Sequence, residues 1–510
     1  MQYTGVISRV RQVAVCQESG LKTNERADKG SSFVCVWWNS VILCSMSLIN
    51  MNFTDYFKGK KITVMGLGLL GRGVGDVAFM AEAGAELIVT DLKSQDELAS
   101  SLVKLSEYKN ITYVLGEHRK GDFEERDCIL VGAGVPLDSE YLRHAREANV
   151  PLKQSAALFA ELSGVPIIGI TGTRGKTTVT QMIHHTLSVS TGEPIILGGN
   201  IRGVSNLQLL KEVHEGSLCV MELDSWQLQG FGWAGISPQI AVFTNFMEDH
   251  MNYYLNTSLR TSDVLSEVEM KEKAMDAYFL DKTNIFKNQE DTGVFITTPE
   301  VFQRAKGTDI SLRGEVILAD SSIIPEDCLL AMPGEHNKLN AALAYEALKA
   351  ISLSDEMIFE GLASFGGVEG RLQYVKSVDN VRIYNDNNAT TPAATVAALD
   401  ALDIGNKNIV LIAGGSDKGI DVAKLAYSIG LHCKQVVLTP GTGTNTLLEL
   451  IHDGDISVTV VESLEQAFEE ARLASENGDI ILFSPAFASF EQYKNEYERN
   501  DEFMSLINNM

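Results

Sequence analysis

The sequence lacks paired cysteines and is short of positive charge. Its seven cysteines are scattered without C-x-x-C spacing, which predicts free thiols in a reducing compartment and argues against a zinc site. Lys and Arg number 42 against 67 Asp and Glu, which gives a net charge of −25. This acidity excludes a general nucleic-acid or anionic-membrane binder, although loops and helix ends can still bind phosphate locally. The 510 residues have an ordinary globular composition and room for about three domains.

The N-terminal region has no unbroken apolar run of membrane-spanning length. Its most apolar stretch, residues 31–49, is interrupted by Asn39, Ser40 and Ser45, whereas a spanning helix needs ~20 predominantly apolar residues. Three interpretations of residues 1–50 stay open: a translated upstream region with the native start at Met51, a membrane anchor, or a soluble extension. We favour the first, and we expect a cytoplasmic protein.

From Lys60 onward, short apolar strands alternate with helical stretches. Examples are CILVGAG (128–134), PIIGITG (166–172) and IAVFTNF (240–246). Such continuous apolar strands predict parallel sheets covered on both faces. The prediction is an α/β protein of three domains: a Rossmann-like N-terminal domain (51–154), a central P-loop ATPase domain with a mainly parallel sheet (155–367), and a Rossmann-like C-terminal domain (368–510). Residues 255–273 are polar and predict a helical surface excursion.

A first Gly-rich turn follows the first strand and opens a helix. It consists of Gly66, Gly68 and Gly71, and Asp91 ends the next strand ~20 residues further on. Glycines allow backbone N–H groups to approach a pyrophosphate at a helix N-terminus, and the carboxylate can accept a ribose hydroxyl. The turn predicts a nucleotide or nucleotide-sugar site, with a plain tight turn as the alternative.

A second loop, GITGTRGKTT (169–178), also joins a strand to a helix. It departs from G-x-x-x-x-G-K-[ST], because Ile170 stands where the first Gly is expected. The loop keeps Lys176 for the β- and γ-phosphates and Thr177 for Mg²⁺. It therefore predicts an ATP site built on a shorter loop.

Acidic and imidazole side chains follow two further strands. Glu222 ends one strand in MELDSWQL, and Glu248, Asp249 and His250 follow another in TNFMEDHMNYY. Ligands of α/β sheets lie at the carboxyl ends of the strands. His250 alone would be read as a surface or core histidine, but beside a phosphate loop it becomes a candidate metal or substrate ligand.

Together these motifs resemble the Mur ligase family. The resemblance rests on TGTRGKTT (171–178), MELDSWQL (221–228), TNFMEDHMNYY (244–254) and GEHNKLNAALA (334–344), in this order. Within the family, GGSDKGID (414–421) and SPAFASFEQYKNEYER (484–499) are similar to segments of the members that add D-glutamate. The D-N-P-R motif of the diaminopimelate- or lysine-adding members is absent.

The resemblance implies an amide ligase of peptidoglycan synthesis. ATP would phosphorylate the terminal carboxylate of UDP-N-acetylmuramoyl-L-alanine, and the amino group of D-glutamate would attack the acyl phosphate. Two Mg²⁺ ions, a monomeric protein and movement of the C-terminal domain are further expectations from the resemblance. No nucleic-acid or membrane partner is expected.

The resemblance also implies roles for individual residues, with some residues in several sets. The catalytic set is Lys176, Glu222, His250 and a carbamylated Lys282, and the Mg²⁺ set is Thr177, Glu222, His250 and Lys282. The ATP set is Gly172, Thr173, Gly175, Lys176, Thr177, Thr178, Asn340, Arg371 and Asp386. The UDP-substrate set is Gly68, Leu69, Leu70, Asp91, Gly134 and Asn200. The amino-acid set is Thr390, Lys418 and Ser489.

Four positions depart from the family pattern. Asn388 stands in place of a lysine, Glu496 where Phe is common, Asp224–Ser225 in place of the Ser pair after the metal Glu, and Arg174 where many relatives carry Asn. A Mur-type ligase for a different amino acid is therefore the main alternative. A nicotinamide oxidoreductase, suggested by the first Gly-rich turn, and a nucleotide-binding protein without catalysis are the other two.

Overall fold

The computed structural model describes residues 53–68, 71–132, 134–258, 266–326, 328, 330–402, 405–451 and 456–510. The predictions for residues 1–50, for the start at Met51 and for Leu69 and Leu70 lie outside these ranges. The described residues form three separate sheets with helices between their strands, which confirms the α/β class and the three-domain architecture. No described helix is both long and apolar enough to cross a bilayer.

The first sheet is parallel throughout and defines the N-terminal unit. Its strand order is β3-β2-β1-β4-β5, the arrangement that doubly wound nucleotide-binding sheets use. The strands are β1 Lys61–Met65, β2 Glu86–Asp91, β3 Ile111–Leu115, β4 Cys128–Val131 and β5 Leu152–Lys153. The helices are α1 Phe53–Phe57, α2 Arg72–Glu82, α3 Ala99–Lys104 and α4 Glu140–Glu147.

The second sheet has six parallel strands and defines the central unit. Its order is β11-β10-β9-β6-β8-β7. The strands are β6 Ile167–Thr171, β7 Ile195–Gly199, β8 Leu218–Glu222, β9 Ile240–Phe243, β10 Val294–Thr297 and β11 Glu315–Leu318. The helices are α5 Ser155–Ser163, α6 Lys176–Thr191, α7 Ser225–Ala234, α8 Met251–Ser258, α9 Glu267–Thr283, α10 Pro299–Lys306, α11 Glu335–Ala350 and α12 Asp355–Ser364. Every residue of β6, β8 and β9 is buried, as expected of central strands covered on both faces.

The third sheet defines the C-terminal unit and contains one antiparallel pair. Its order is β12-β13-β17-β14-β15-β16, with β12 antiparallel to β13 and the remaining neighbours parallel. The strands are β12 Gln373–Val378, β13 Val381–Asn385, β14 Ile409–Gly414, β15 Cys433–Thr439, β16 Ser457–Val460 and β17 Ile480–Phe483. The helices are α13 Pro392–Leu402, α14 Ala423–His432, α15 Thr442–Leu448, α16 Leu464–Ala474 and α17 Glu496–Asn508.

The apolar core is continuous from the N-terminal into the central unit. One cluster contains Val74 and Phe79 of α2 together with Leu207 and Leu209 of the central unit. The C-terminal unit has two clusters of its own, which lie on the two faces of its sheet. The predicted boundaries at residues 154 and 367 fall between consecutive sheets and remain predictions.

Candidate active site

A cavity of about 700 Å³ opens at the carboxyl edge of the N-terminal sheet. Gly68, Asp91 and Gly134, all predicted to bind the UDP substrate, line this cavity. One Asp91 oxygen accepts hydrogen bonds from the backbone N–H groups of Leu67 (2.9 Å) and Gly68 (3.4 Å). The carboxylate therefore stabilises the Gly-rich turn. Its other oxygen accepts a hydrogen bond from the backbone N–H of Lys93 at 3.0 Å.

Asn200 connects this cavity to the ATP side through a residue that the sequence analysis missed. Arg72, the first residue of α2, lines the cavity and donates a hydrogen bond to the Asn200 side chain. The Asn200 backbone N–H donates to the carbonyl of Glu222 at 2.7 Å. Arg72 directly follows the last glycine of the fingerprint, Gly71, and this position at the start of a pyrophosphate-facing helix was the available signal.

The ATP loop needs glycine at both of its framing positions. Gly172 has φ 148°, and a Cβ there would lie 1.9 Å from the hydroxyl of Thr244. Gly175 has φ 80°, and a Cβ would lie 2.5 Å from the side-chain oxygen of Asn340. Both conformations disfavour residues with a side chain. The same contact shows that α11 brings Asn340, the predicted adenine contact, against the loop.

Lys176 folds back over the loop. Its ammonium donates to the carbonyls of Gly172 (3.0 Å) and Thr173 (3.1 Å). Burial lowers the pKa of Lys176, and the negative charge of Glu222 opposes this shift. The loop carbonyls thus accept the hydrogen bonds that the ammonium could otherwise donate to phosphate oxygens. Thr178, which follows the loop, is buried within the first turn of α6.

Thr177 and Glu222 provide oxygen donors suited to Mg²⁺. Glu222 ends β8 beside β6, where it pairs in register with Ile170 just before the loop. It is 4 % exposed, and its carboxylate accepts no hydrogen bond within the described residues. Across those residues, no three His, Cys, Asp or Glu side chains gather closely enough to hold a metal on their own. This donor set fits Mg²⁺, which typically uses one or two carboxylates together with substrate phosphates.

Aromatic rings fix the orientation of His250. Its ring lies 4.8 Å from Trp226 and 5.8 Å from Tyr278, both edge-on. The residue has φ 58°, an uncommon conformation for a non-glycine residue. Burial lowers the pKa of His250, with Asp249 acting in the opposite direction. A neutral imidazole is the form that can ligate a metal.

Lys282 is fully buried near the end of α9. Its ammonium donates to the Gly172 carbonyl (2.9 Å) and to the Thr171 hydroxyl (3.3 Å). Lys176 donates to the same Gly172 carbonyl, so the two nitrogens are at most 2.9 + 3.0 = 5.9 Å apart. Burial, reinforced by the charge of Lys176, lowers the pKa of Lys282 well below its usual range.

The C-terminal unit reaches the loop through Arg371. Its guanidinium donates to the Thr177 hydroxyl at 3.1 Å. Asp386, also predicted to contact ATP, is buried beneath this point and accepts hydrogen bonds from Leu372 N–H (2.9 Å) and the Ser484 hydroxyl (2.8 Å). Burial raises the pKa of Asp386 to about 7. Through its hydrogen bond with Leu372 N–H, Asp386 stabilises the segment that carries Arg371.

The three predicted amino-acid contacts are on neighbouring loops but do not share one cavity. Lys418 donates to the Thr390 hydroxyl at 3.1 Å. Ser489 lines a separate cavity of about 10 Å³ beside the buried Arg499. The two loops pair through reciprocal backbone hydrogen bonds between Ser416 and Ala488. The structure therefore brings the loops together while keeping Ser489 enclosed.

Three of the departures from the family pattern, Asn388, Glu496 and Arg174, lie where the central and C-terminal units meet. Asn388 N–H donates to the Gly370 carbonyl at 2.9 Å, next to Arg371. Glu496 opens α17, and its charge acts on Lys418. Arg174 pairs with Asp249, with 3.5 Å between the nitrogen and the oxygen.

Family comparisons match all three units. The Mur ligase MurD-like N-terminal domain matches residues 60–153, the Mur ligase middle domain matches 170–259, and the Mur ligase glutamate ligase domain matches 370–487. These matches agree with the three sheets in number and order.

Several curated proteins are similar to the chain over most of its length. UDP-N-acetylmuramoylalanine--D-glutamate ligase of Borreliella burgdorferi (strain ZS7) is 32% identical over 89% of this chain and 99% of its own. The enzymes of the same name from Roseiflexus sp. (strain RS-1) and Clostridioides difficile (strain 630) are 33% and 30% identical, over 88% and 89% of this chain and 98% and 99% of their own.

Solved structures share the fold at lower identity. UDP-N-acetylmuramate-alanine ligase MurC from Thermotoga maritima has a TM-score of 0.54 at 19% identity and covers 88% of this chain and 99% of its own. MurF ligase from the same organism, in complex with ADP, has a TM-score of 0.52 at 13% identity, with coverages of 89% and 95%.

Proposed function

The chain belongs to the Mur ligase family, and we propose that it joins D-glutamate to UDP-N-acetylmuramoyl-L-alanine, with ATP converted to ADP and phosphate. The product is an amide used in peptidoglycan synthesis. The observation that carries this proposal is the near full-length similarity to D-glutamate ligases, at 32–33% identity. The phosphate loop and the Lys418 loop support it, because Arg371 of the C-terminal unit contacts Thr177 and the charge of Arg174 acts on Lys418.

The first half-reaction needs the γ-phosphate beside a substrate carboxylate. Lys176 would exchange the carbonyls of Gly172 and Thr173 for phosphate oxygens, and Arg371 would add charge from the C-terminal unit. Mg²⁺, held by Thr177 and Glu222, would supply charge neutralisation for the transferring phosphoryl group. A carboxylate oxygen of the substrate attacks the γ-phosphorus, the bond to ADP breaks, and an acyl phosphate forms. Positioning and electrostatics therefore do the catalytic work.

Lys282 is the residue we assign to a second Mg²⁺, together with His250. Burial lowers the pKa of Lys282 well below its usual range and so favours the neutral amine, which is the form that reacts with CO₂ to give a carbamate. Carbamylation would place an anion beside Lys176, where the two side chains share the Gly172 carbonyl, and the negative charge would attract the Lys176 ammonium. The resulting oxygens would suit Mg²⁺ better than the amine does.

The second half-reaction brings the acceptor from the C-terminal side. Lys418, Thr390 and Ser489 are the proposed contacts for the carboxylates of D-glutamate. The acceptor's amino nitrogen, once deprotonated, attacks the carbonyl carbon, and phosphate leaves as the amide bond forms. The UDP moiety would lie in the 700 Å³ cavity against Gly68, Asp91 and Gly134, and Asn200 would hold the part of the substrate between the two sites.

Further parts of the proposal concern the protein as a whole. We propose a cytoplasmic monomer with domain boundaries near residues 154 and 367. Size-exclusion chromatography with light scattering would test the monomer, since a stable dimer would elute at twice the mass of the chain.

Phosphate release from ATP tests the proposed function. The full chain is assayed with Mg²⁺, UDP-N-acetylmuramoyl-L-alanine and one amino acid at a time: D-glutamate, L-glutamate, D-alanine, L-lysine or diaminopimelate. We expect D-glutamate to stimulate release and the others to give little above background. Stimulation by another amino acid alone would move the chain to a different acceptor, and NAD(H)-dependent turnover would favour an oxidoreductase.

A further inference from the structure

Arg174 is a cation of the ATP loop that the phosphate-binding scheme leaves unused. Its backbone is held on both sides: its N–H donates to the Asn245 side chain at 2.9 Å, and its carbonyl accepts from the Thr244 hydroxyl at 2.5 Å. Its side chain is 41% exposed. The backbone therefore fixes where the side chain leaves the loop, while the guanidinium remains accessible to a ligand.

The guanidinium lies outside the loop's interior, against Asp249. Lys176 folds inward to the loop carbonyls, whereas Arg174 extends outward to Asp249, 3.5 Å away. The charges of Arg174 and Asp249 also act on Lys418 of the C-terminal unit. Burial lowers the pKa of Lys418, Asp249 opposes this shift, and Arg174 reinforces it. Lys418 belongs to the C-terminal unit and Arg174 and Asp249 to the central unit, so the charges of both units act on one another here.

The charges in this part of the cleft favour an additional anion. A contact of 3.5 Å to one carboxylate oxygen is loose for an ion pair, and it leaves most of the five guanidinium donors without a close acceptor. Glu496 raises the pKa of Lys418 and Arg499 lowers it. Both effects are weaker than those of Asp249 and Arg174. A planar guanidinium with free donors is well suited to bind a carboxylate through two hydrogen bonds.

We propose that Arg174, together with Lys418, binds a carboxylate of the acceptor amino acid and so determines specificity for an acidic acceptor. Asp249 is the counter-ion of Arg174 while the acceptor is absent. The inference rests on the proposed function, because it assigns a residue to that reaction's second substrate. It also connects the ATP loop to acceptor binding, since the loop that cradles the phosphates would contact both substrates of the amide-forming step.

Steady-state kinetics of Arg174→Asn and Arg174→Lys test the assignment in the full chain. Arg174→Asn should raise the KM for D-glutamate by about tenfold or more, because a charge-assisted hydrogen bond to a carboxylate is lost. The KM values for ATP and the UDP substrate should stay within about twofold. Arg174→Lys keeps the charge without the two-donor fork and should give an intermediate KM.

Arg304→Asn is the matched control. Arg304 belongs to the same unit, is 37% exposed and also pairs with an aspartate, Asp276, at 2.8 Å. It lines a different surface, so all three KM values should be unchanged. Arg174→Gln, which retains more side-chain length, provides a second uncharged variant should Arg174→Asn unfold.

The outcomes separate this inference from the proposed function. If the unmodified chain shows no D-glutamate-dependent phosphate release, the proposed function fails, and the inference fails with it. If the unmodified chain is active and both uncharged variants keep its KM for D-glutamate, only the inference is overturned. A rise confined to the KM for ATP would also overturn it, because Arg174 would then be a phosphate contact.

Discussion

The two flanking units are attached to the central unit in opposite ways. The N-terminal unit shares one apolar cluster with it, and Asp76 is buried at that junction with hydrogen bonds from Ser205 (2.6 Å) and Leu207 N–H (3.1 Å). The C-terminal unit touches it through polar side chains, including the Arg371–Thr177 hydrogen bond and the Arg202–Asp501 ion pair.

This difference matches what each unit has to do. A shared apolar core resists separation, so the UDP-substrate cavity keeps a fixed position relative to the ATP loop. Polar contacts between domains exchange readily with water, which permits hinge opening. We therefore predict that the C-terminal unit, which carries the proposed acceptor contacts, is the unit that moves.

The largest effect we expect is on turnover, and it leaves both junctions unchanged. Lys176→Ala should reduce turnover by roughly 10³-fold or more, because the loop loses its phosphate clamp. Removal of this half-buried cation leaves the apolar clusters untouched, so the thermal unfolding midpoint should change little. Circular dichroism melts beside phosphate-release assays check this, and near-normal turnover would contradict the assigned role.

Gly75→Ala tests the apolar junction. A Cβ on Gly75 in α2 would lie 2.5 Å from the Cβ of Ser205 in the central unit. We expect a loss of about 1–3 kcal/mol in the free energy of unfolding from this overpacking. Gly430→Ala in α14 is the matched control, because a Cβ there meets nothing within 4 Å.

The control variant, Gly430→Ala, should change the free energy of unfolding in the opposite direction. Alanine is a better helix former than glycine, so Gly430→Ala should stabilise the chain by about 0.5–1 kcal/mol. Denaturant unfolding of the two variants gives the comparison directly. Equal stabilisation by both would mean that α2 and Ser205 are not tightly packed.

Asp386 provides a pH test within the C-terminal unit. Its pKa is raised from 3.8 to about 7 by burial, so the folded state retains a proton that the unfolded state releases. The stabilising contribution is complete below about pH 4 and is lost as the pH rises to about 7. Relative to Asp386→Asn, the native chain should lose roughly 3–5 kcal/mol of stability over that range. Parallel profiles in urea titrations would contradict the raised pKa.

The smallest effect concerns the ion pairs across the two junctions. Arg202 pairs with Asp501 at 3.0 Å and lies 4.4 Å from the Tyr497 ring, both in the C-terminal unit. Arg202→Ala should weaken this docking by about 1 kcal/mol or less, as exposed pairs do. Small-angle scattering should then show a modestly larger radius of gyration.

Lys211→Ala is the counterpart at the N-terminal junction. Lys211 pairs with Glu82 across that junction at 2.6 Å. Because the apolar core holds these units together, scattering should be unchanged. An equal expansion in both variants would remove the distinction between the junctions.

The motif-bearing strand ends were predictable because their signals are local. Alternating strands and helices, the Gly172–Thr178 loop and Glu222 at a strand end all follow from short stretches of sequence. The half-exposed antiparallel strand β12 was not predicted, since its pattern lacks a continuous apolar run. Its place at a sheet edge explains that pattern.

Contacts between residues far apart in the sequence were the main features that the sequence could not predict. The Arg72–Asn200 hydrogen bond joins residues 128 positions apart, and no local pattern encodes it. The resemblance suggested a role for Lys282, but only the fold shows that it is buried beside Lys176. Arg174 likewise acquired a physical interpretation once Asp249 and Lys418 were seen around it.

Transfer of an oxygen isotope tests the central claim most directly. The claim is that the γ-phosphate activates a carboxylate and is not passed to water. The substrate UDP-N-acetylmuramoyl-L-alanine is prepared with ¹⁸O in its terminal carboxylate, and the phosphate released with ATP and D-glutamate is analysed by mass spectrometry. An acyl phosphate intermediate predicts one ¹⁸O in each released phosphate. Phosphate free of ¹⁸O from the same turnover would contradict the account.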